Sequence, residues 1–515
     1  MERMNFGSVF VSWIQMMHEG VQTCFILNKI TEAIHLTFSI RQGDPIAMIL
    51  FIIYIEPLLV YLEEKLCGIS IAGSTQILEA FCDDVNIITG ELHDLVEVNN
   101  AVVKFEGMSG AILSRNKKCK ALGLGSWKDK NEWPLDFIHG VKELKIFGII
   151  IKDSYASMVK ANWDTRYDKF ASCIKSWSSR NLPSLSARVE VLKIFALSRV
   201  FYVGSILPIT QTMVNKFESL IGKFIWKFGG WLLRIPIDEA KNDPEKGGLG
   251  LTCLYSMCKS LLLSQFLRLL KSKDSKTLSH VAYWIGDSLG DLVIGIDDGP
   301  HADRIPEYFA NIEFLVMEAK MDNLITPTQW SRLTNKMIYH EQAKLFPVLK
   351  VERDSGTSFK RVWKLINSPI ISSGARDISY LLVNNKLPVR ERLFRVGLST
   401  SAACTTCPGS IDCDVTHFFC SCLKVHDVWL SIKDIIIGFI GGPLMNHDII
   451  SYQFPSSCYD DEIVWLLSTY LEKIWRELKY NDERSFNKEA FFGYLKFKFK
   501  MEKSDVMLQP IPGLF

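Results

Sequence analysis

Two groups of residues in this sequence have the types and spacing that chemistry requires. The first is the pair Asp83 and Asp84, set in an otherwise apolar stretch, with Leu78, Ala80, Phe81 and Cys82 before it and Val85, Ile87 and Ile88 after it. Adjacent carboxylates repel one another and lose solvation when partly buried, so a divalent cation is the natural compensating charge. Taken alone, the pair fits a solvated turn better, because Asp is common in turns; its neighbours in sequence shift the balance. The second group is Cys404, Cys407, His417 and Cys422, a Cys-x2-Cys-x9-His-x4-Cys pattern. Such spacing brings two ligands from a tight knuckle and two from a following segment to one tetrahedral zinc ion. Cys413 and Cys420 are spare thiols in the same stretch, and Cys420 could replace Cys422. Chance clustering of buried cysteines is the competing explanation, and the local density of Cys beside a His disfavours it.

These groups need elements to hold them. Residues 78–88 read as two strands folded back at Cys82, Asp83 and Asp84. Upstream, an extended stretch at 37–40 precedes a helix with Pro45 in its first turn, running through Ile49, Ile52 and Ile53. A short strand is expected at 69–71 between Gly68 and Gly73, a helix over 92–109 with Gly110 at its stop, and a strand pair at 144–151. From residue 158 the pattern becomes helix after helix. One helix spans 186–203, with Val189, Leu192, Phe195, Ala196 and Val200 on one side, and another spans 213–228. The glycine-rich turn at 244–250 closes that block. A basic helix over 389–396 leads into the cysteines, and 461–480 is helical. There is no internal repeat.

The chain has 515 residues, 48% of them hydrophobic, which predicts three or four folding units and excludes disorder along most of its length. Its 32 Gly and 18 Pro follow no period, which excludes collagen-like and mucin-like architectures. A formal net charge of +2 does not announce a nucleic-acid binder, but a whole-chain sum hides local faces. Residues 142–240 hold an excess of Lys and Arg, among them Arg180, Arg188, Lys193, Arg199, Lys216, Lys223, Lys227 and Arg234, with Trp177, Trp226 and Trp231 interleaved. Singly each reads as part of a solvated helix face; as a group they favour nucleic acid. The cysteines outside the cluster stand alone among apolar residues, as reduced buried thiols would. With no secretory-signal pattern, this predicts an intracellular compartment, nucleus or cytoplasm. The longest apolar run, 46–62, is interrupted by Glu56 and Pro57, which argues against a membrane span.

The order of Arg41, Gln42, Gly43, Asp44 and Pro45, then Phe81, Cys82, Asp83 and Asp84, then Ser109 and Gly110 followed by Arg115, Lys117, Lys118 and Lys120, then a strand pair, resembles the reverse transcriptases of non-LTR (LINE-type) retrotransposons. The likeness continues through residues 181–209, Phe224-Ile225-Trp226 and 245–251. Residues 387–398, the cysteine cluster and Val428-Trp429 look like the zinc-binding region near the C-terminus of those enzymes. The resemblance implies Mg²⁺ at Asp83 and Asp84 for two-metal nucleotidyl transfer. It places Arg41, Gln42 and Gly43 at the template and nucleotide site, Lys117 near the incoming triphosphate, and Zn²⁺ at Cys404, Cys407, His417 and Cys422. The implied partners are an RNA template and a DNA primer or target DNA, with Arg390, Arg392 and Arg395 beside the zinc favouring nucleic acid.

The sequence also departs from the family pattern. Ser39 stands where Gly is usual, Ala47 and Met48 where Ser-Pro is usual, and Cys82 replaces a small residue. Upstream of Asp83 the only aspartate is Asp44, which belongs to another motif, so the family's further metal-binding aspartate has no counterpart. The implied fold is α+β: an incomplete reverse-transcriptase fingers and palm with a small antiparallel sheet over 1–155, a helical thumb over 156–252, a helical connection over 253–375, a zinc-binding region over 376–432 and a C-terminal helical region over 433–515. The expected function is that of a remnant RNA-directed DNA polymerase with little or no activity as an isolated chain. The alternative is a non-catalytic nucleic-acid-binding protein that uses the thumb and zinc regions.

Overall fold

The computed structural model of the protein describes residues 1–24, 26, 30–35, 44–71, 73–114, 119–130, 133, 137–226, 235–272, 275–289, 305–322, 324–326, 328–479, 486–506 and 511. The extended stretch expected at 37–40, and Arg41, Gln42, Gly43, Lys117, Lys227, Trp231 and Arg234, lie outside the described residues.

In chain order the elements begin α1 (Ser8–His18), β1 (Gln22–Thr23), β2 (Ile34–His35), α2 (Ala47–Lys65), β3 (Ile69–Ile71), β4 (Ser74–Gln76), β5 (Leu78–Phe81), β6 (Asp84–Ile87), α3 (Leu92–Ser109), β7 (Leu144–Ile146) and β8 (Ile149–Ile151). They continue with α4 (Tyr155–Ser178), α5 (Leu185–Val191), a π turn (Leu192–Leu197), α6 (Ser198–Gly204), α7 (Gln211–Ile225), α8 (Ile237–Ala240), α9 (Leu254–Ser272), α10 (Ser275–Leu289), α11 (Glu307–Met321), α12 (Asn335–Ala343), α13 (Lys350–Ser355), α14 (Lys360–Ile366) and α15 (Ser373–Val383). Last come α16 (Arg390–Arg395), a second π turn (His417–Ser421), α17 (His426–Ile440), α18 (Asn446–Ile450), α19 (Asp460–Leu478) and α20 (Lys488–Val506). The strands pair antiparallel as β1–β2, β3–β4, β5–β6 and β7–β8, four two-stranded sheets among the described residues. The chain divides into two compact units, Met1–Asn162 with Leu269–Glu313 and Trp163–Arg268 with Phe314–Phe515.

In the first unit, Leu95, Val98, Ala101 and Val102 recur at helical spacing on α3 and are buried. Val98, Ala101 and Val102 meet Leu62 and Leu66 from the end of α2, and Leu78 and Ile87 of the β5–β6 hairpin pack against that cluster. Each such side chain contributes about 1.5–3 kcal/mol when fully buried. Asp94, in the first turn of α3 and fully buried, accepts the backbone N–H groups of Cys67 (2.9 Å) and Gly68 (3.1 Å) and the Thr89 hydroxyl (2.7 Å). Gly68 has φ +63°, and a Cβ there would collide with the Gln76 carbonyl. Helix α2 starts at Ala47, so Pro45 lies before its first turn and not within it; the Asp44 carboxylate accepts the Ile46 N–H (3.1 Å) in the preceding turn. Packing on α3 carries α2 through Pro57, which sequence alone reads as an interruption.

In the second unit, α19 is buried on all sides from Glu462 to Glu472 and on its apolar side through Ile474, Trp475 and Leu478, while Arg476 stays exposed. It packs against α15, whose N-cap Ser372 accepts the Ala375 N–H (3.1 Å) and donates its hydroxyl to Glu472 of α19 (2.7 Å). The helix expected over 186–203 is present, with one difference. Val189, Leu192, Ala196 and Val200 are buried, but the π turn swings Phe195 outward to 42% exposure. The Phe195 carbonyl then accepts from Arg199 Nε (2.9 Å) and Cys173 Sγ (3.4 Å). Gly248 has the Asn242 carbonyl where a side chain would sit, which accounts for one glycine of the 244–250 turn.

Among the cysteines outside the cluster, only Cys173, Cys253 and Cys258 are buried. Cys24, Cys67 and Cys458 are exposed, so apolar neighbours in sequence did not take them inside. No helix among the described residues is long and apolar enough to cross a membrane.

Candidate metal centre

The cysteine cluster begins as a tight hairpin. Cys404 N–H donates to the Ile411 carbonyl (2.8 Å) and Cys413 N–H to the Ala402 carbonyl (2.9 Å), around a turn where Gly409 (φ +88°) and Ser410 (φ +52°) take left-handed conformations. The next two ligands come from the π turn. In an α-helix, positions five apart are rotated about 140° from each other. The π turn bonds Cys422 N–H to the His417 carbonyl (2.8 Å), which closes one turn over five residues and stacks the two. Asp414 caps it, its carboxylate accepting the His417 N–H at 2.6 Å. Sequence reasoning passed over Asp414, although an Asp three residues before a helical ligand is a capping signal. From beneath, the Tyr470 hydroxyl of α19 donates to the Phe419 carbonyl (2.5 Å), and Trp475 stacks on Phe419 at 6.3 Å.

The result is a closed set. One donor atom from each of Cys404, Cys407, His417 and Cys422 lies within 4.8 Å of all the others, and no other such group of three or more occurs among the described residues. Cys422 Sγ is 3.8 Å from Cys404 Sγ and 3.9 Å from Cys407 Sγ. Sulfurs on a tetrahedral zinc with Zn–S bonds of about 2.3 Å sit about 3.8 Å apart, whereas a disulfide needs about 2.05 Å. His417 is buried, and its Nε2 has no hydrogen-bond partner among the described residues. An unsatisfied imidazole nitrogen beside three thiols is what a metal ligand requires. Burial opposes charge on Cys404, but the backbone N–H groups of Thr406 and Cys407 and the His417 side chain draw its thiol down to about 6. Burial pushes Cys413 up to about 12, and Cys420 above that. Burial raises Cys422 to about 12 as well, so position decides: its Sγ lies with those of Cys404 and Cys407, while Cys413 and Cys420 stay outside the cluster. This donor set fits zinc.

Residues 341–429 match the model of a family described as zinc-binding in reverse transcriptase. Over 278 residues the chain is 23% identical to the Transposon TX1 uncharacterized 149 kDa protein of Xenopus laevis, an alignment covering 53% of this chain and 21% of that protein. The chain is a relative of non-LTR retrotransposon reverse transcriptases, over their C-terminal region. It spans about a fifth of the length of the curated relative it matches.

In this reverse-transcriptase relative the Asp83–Asp84 hairpin has the expected form. Strands β5 and β6 pair from Leu78↔Ile87 to Phe81↔Asp84, and Cys82 makes the turn at φ +52°. Phe81 meets Phe147 edge-on at 6.2 Å, which brings the hairpin tip to the turn between β7 and β8. Asp83 and Asp84 are both exposed, and no third potential ligand joins them among the described residues. The turn at Ser109 and Gly110 ends α3 with Gly110 at φ +73°.

Several cations singled out as phosphate contacts are committed elsewhere. Arg188 is buried, and its Nη1 donates to the Ile225 carbonyl at 2.5 Å, closing α5 onto α7. Trp226 is likewise buried. Lys193 pairs with Glu190 (2.9 Å) and Lys216 with Asp164 (3.7 Å), while Arg180 lies over the Trp177 ring at 4.5 Å. The amphipathic pattern of 186–203 placed Arg188 on a polar side, and tertiary partners, the Ile225 carbonyl and the nearby Asp377 carboxyl among them, offset its burial.

Proposed function

We propose that this retrotransposon-derived chain works as a nucleic-acid-binding protein through its zinc-bearing region, and that its N-terminal part is the inherited palm of an RNA-directed DNA polymerase. The observation that carries this reading is the closed Cys404, Cys407, His417 and Cys422 cluster inside the stretch matched by the reverse-transcriptase zinc-binding family. Bound there, zinc would cross-link the knuckle hairpin at 402–413, where only Cys407 and Cys413 are buried, to the well-packed segment that carries His417 and Cys422. What the protein gains is a fixed α16. The backbone N–H of Arg390 donates to the Cys413 thiol, so the arginines of α16 are carried on the knuckle that the metal holds. Arg395 is exposed, and Arg390 and Arg392 are partly so. Guanidinium groups on a rigid element are suited to phosphates and bases of RNA or target DNA.

For the palm, Asp83 and Asp84 are the residues on which Mg²⁺ would rest, with Arg41, Gln42, Gly43 and Lys117 as the nucleotide and template contacts. Two exposed carboxylates at a hairpin tip give a magnesium ion a weak hold, because tight sites supply further ligands. Polymerase activity of this chain by itself is accordingly weak or absent. The test pairs two assays. Primer extension on an RNA template with Mg²⁺ compares the chain with Asp83→Asn/Asp84→Asn, and salt-dependent RNA binding is measured on the same preparations. Binding without extension supports the reading; extension lost in the double variant restores catalysis to the chain; no binding at low salt removes the nucleic-acid role.

A further inference from the structure

The zinc cluster and the acidic hairpin leave one large groove of the second unit without a task. Its volume is about 1590 Å³, beyond the roughly 300–1,000 Å³ of a small-molecule pocket, so it suits an extended ligand. Lys350 at the start of α13, Lys386 just after α15 and Arg392 on α16 line it together. Burial lowers the Lys386 ammonium below its ordinary range, and the nearby positive charges of Arg392 and Lys350 lower it further, against Glu239. The half-buried Lys386 and Arg392 and the exposed Lys350 thus lie on one wall, where their mutual repulsion favours an anion between them; Arg392 also donates to the Asn385 carbonyl.

The acids of the same wall are mostly engaged. Glu239 pairs with Arg353 (3.4 Å), Glu391 with Arg395 and Glu218 with Lys241 (2.7 Å), and Asp414 caps the π turn. Asp354 and Asp412 remain, both exposed, where water and salt screen them. The side-chain ammonium groups of Lys350 and Lys386 form no hydrogen bond or ion pair with the described residues. Trp226 also lines the groove, and its buried indole N–H has no acceptor among the described residues.

We propose that this groove takes the phosphodiester backbone of a single-stranded nucleic acid, with Lys350, Lys386 and Arg392 meeting its phosphates. The proposal rests on the nucleic-acid reading above and gives it a location. The chain has to be single, because a cleft of this volume does not admit a duplex. Asp412 and Asp414 on its rim belong to the knuckle, so the groove and the metal centre share a wall.

The experiment uses the full chain with zinc bound and measures fluorescence anisotropy of labelled oligo(U) and oligo(dT) of about twelve nucleotides across a salt series. Lys350→Ala/Lys386→Ala is expected to weaken binding about tenfold or more, since each charged contact is worth that much. It should also reduce the slope of log affinity against log salt by roughly 1.4, about 0.7 for each lost phosphate contact. Equal losses for both oligomers assign the contact to phosphate, and a larger loss for oligo(U) assigns it to RNA. Inorganic phosphate alone is the control for a simple anion site, and displacement of either oligomer by low phosphate would overturn the extended-chain proposal. Wild-type binding with an unchanged affinity and slope in a variant that retains zinc would overturn the groove while leaving the nucleic-acid reading intact. No binding by the wild type overturns both. If the variant misfolds, acetylation of wild-type lysines with and without oligo(U) decides: unprotected Lys350 and Lys386 would sink the proposal.

Discussion

The backbone N–H of Glu391 donates to the carbonyl oxygen of Cys413 at 3.1 Å. This bond ties the first turn of α16 to the second strand of the knuckle hairpin, so the helix that carries Arg390, Arg392 and Arg395 takes its position from the metal centre. Loss of the metal therefore reaches side chains that do not touch it.

Cys404→Ser is expected to abolish zinc binding in native mass spectrometry and to weaken RNA binding at least fivefold, although Cys404 contacts no nucleic acid. Zinc binding carries folding free energy, on the order of 10 kcal/mol in small zinc modules. Cys420→Ser should keep its zinc, because that thiol lies outside the cluster of donor atoms. Loss of zinc from both variants alike would refute the assignment of Cys422.

Asp94→Ala should destabilise the first unit by about 1–3 kcal/mol, because it removes the one buried acceptor that two partly buried N–H groups and a hydroxyl share. Burial opposes the Asp94 charge, but the N–H of Cys67, the Thr89 hydroxyl and the N–H of Gly68 together pull its carboxyl below the ordinary 3.8. Urea midpoints of the variant against the wild type measure the loss.

Arg188→Ala separates a structural cation from a phosphate contact. Removing the guanidinium that donates to Ile225 should lower stability by about 2–3 kcal/mol, and the salt slope of RNA binding should not move. A reduced slope in a folded variant would return Arg188 to the nucleic-acid surface.

Asp377 gives a pH dependence of known sign. Burial pushes its carboxyl up to about 6 from 3.8, against the Leu185 N–H it accepts at 2.9 Å and the charges of Arg188 and Arg376. Between those values the folded chain holds more protons than the unfolded one, so this group's contribution to stability falls as pH rises through about 4 to 6. Asp377→Asn should flatten that part of the profile, a difference of about 2 kcal/mol in chemical denaturation followed against pH.

Much of the metal centre was legible because its spacing is local. Cys404 and Cys407 are fixed by one knuckle, and the four residues between His417 and Cys422 match one π turn. What sequence alone left open was the choice between Cys420 and Cys422, which depends on which side of that turn faces the hairpin. The hairpin at Asp83, the stop at Gly110 and the strand pair at 144–151 were likewise readable from turn residues and alternation. Arg188 and Lys386 were not. The burial of Arg188 is offset by the carbonyl at Ile225 and the carboxyl of Asp377, and the setting of Lys386 depends on Lys350 and Arg392, partners that only tertiary structure supplies. The exposed Cys24, Cys67 and Cys458 show the same limit from the other direction.

The wide turn at Leu192–Leu197 behaves as an absorbed insertion. One surplus residue in a helix ordinarily redirects everything beyond it by about 100°. Here a single swollen turn takes up the surplus, and Val200 and Val203 still point into the same interior as Val189 and Leu192. The stretch can lose one residue at that spot and remain a continuous helix. A deletion elsewhere between Leu185 and Gly204 would turn half of its interior side chains toward water.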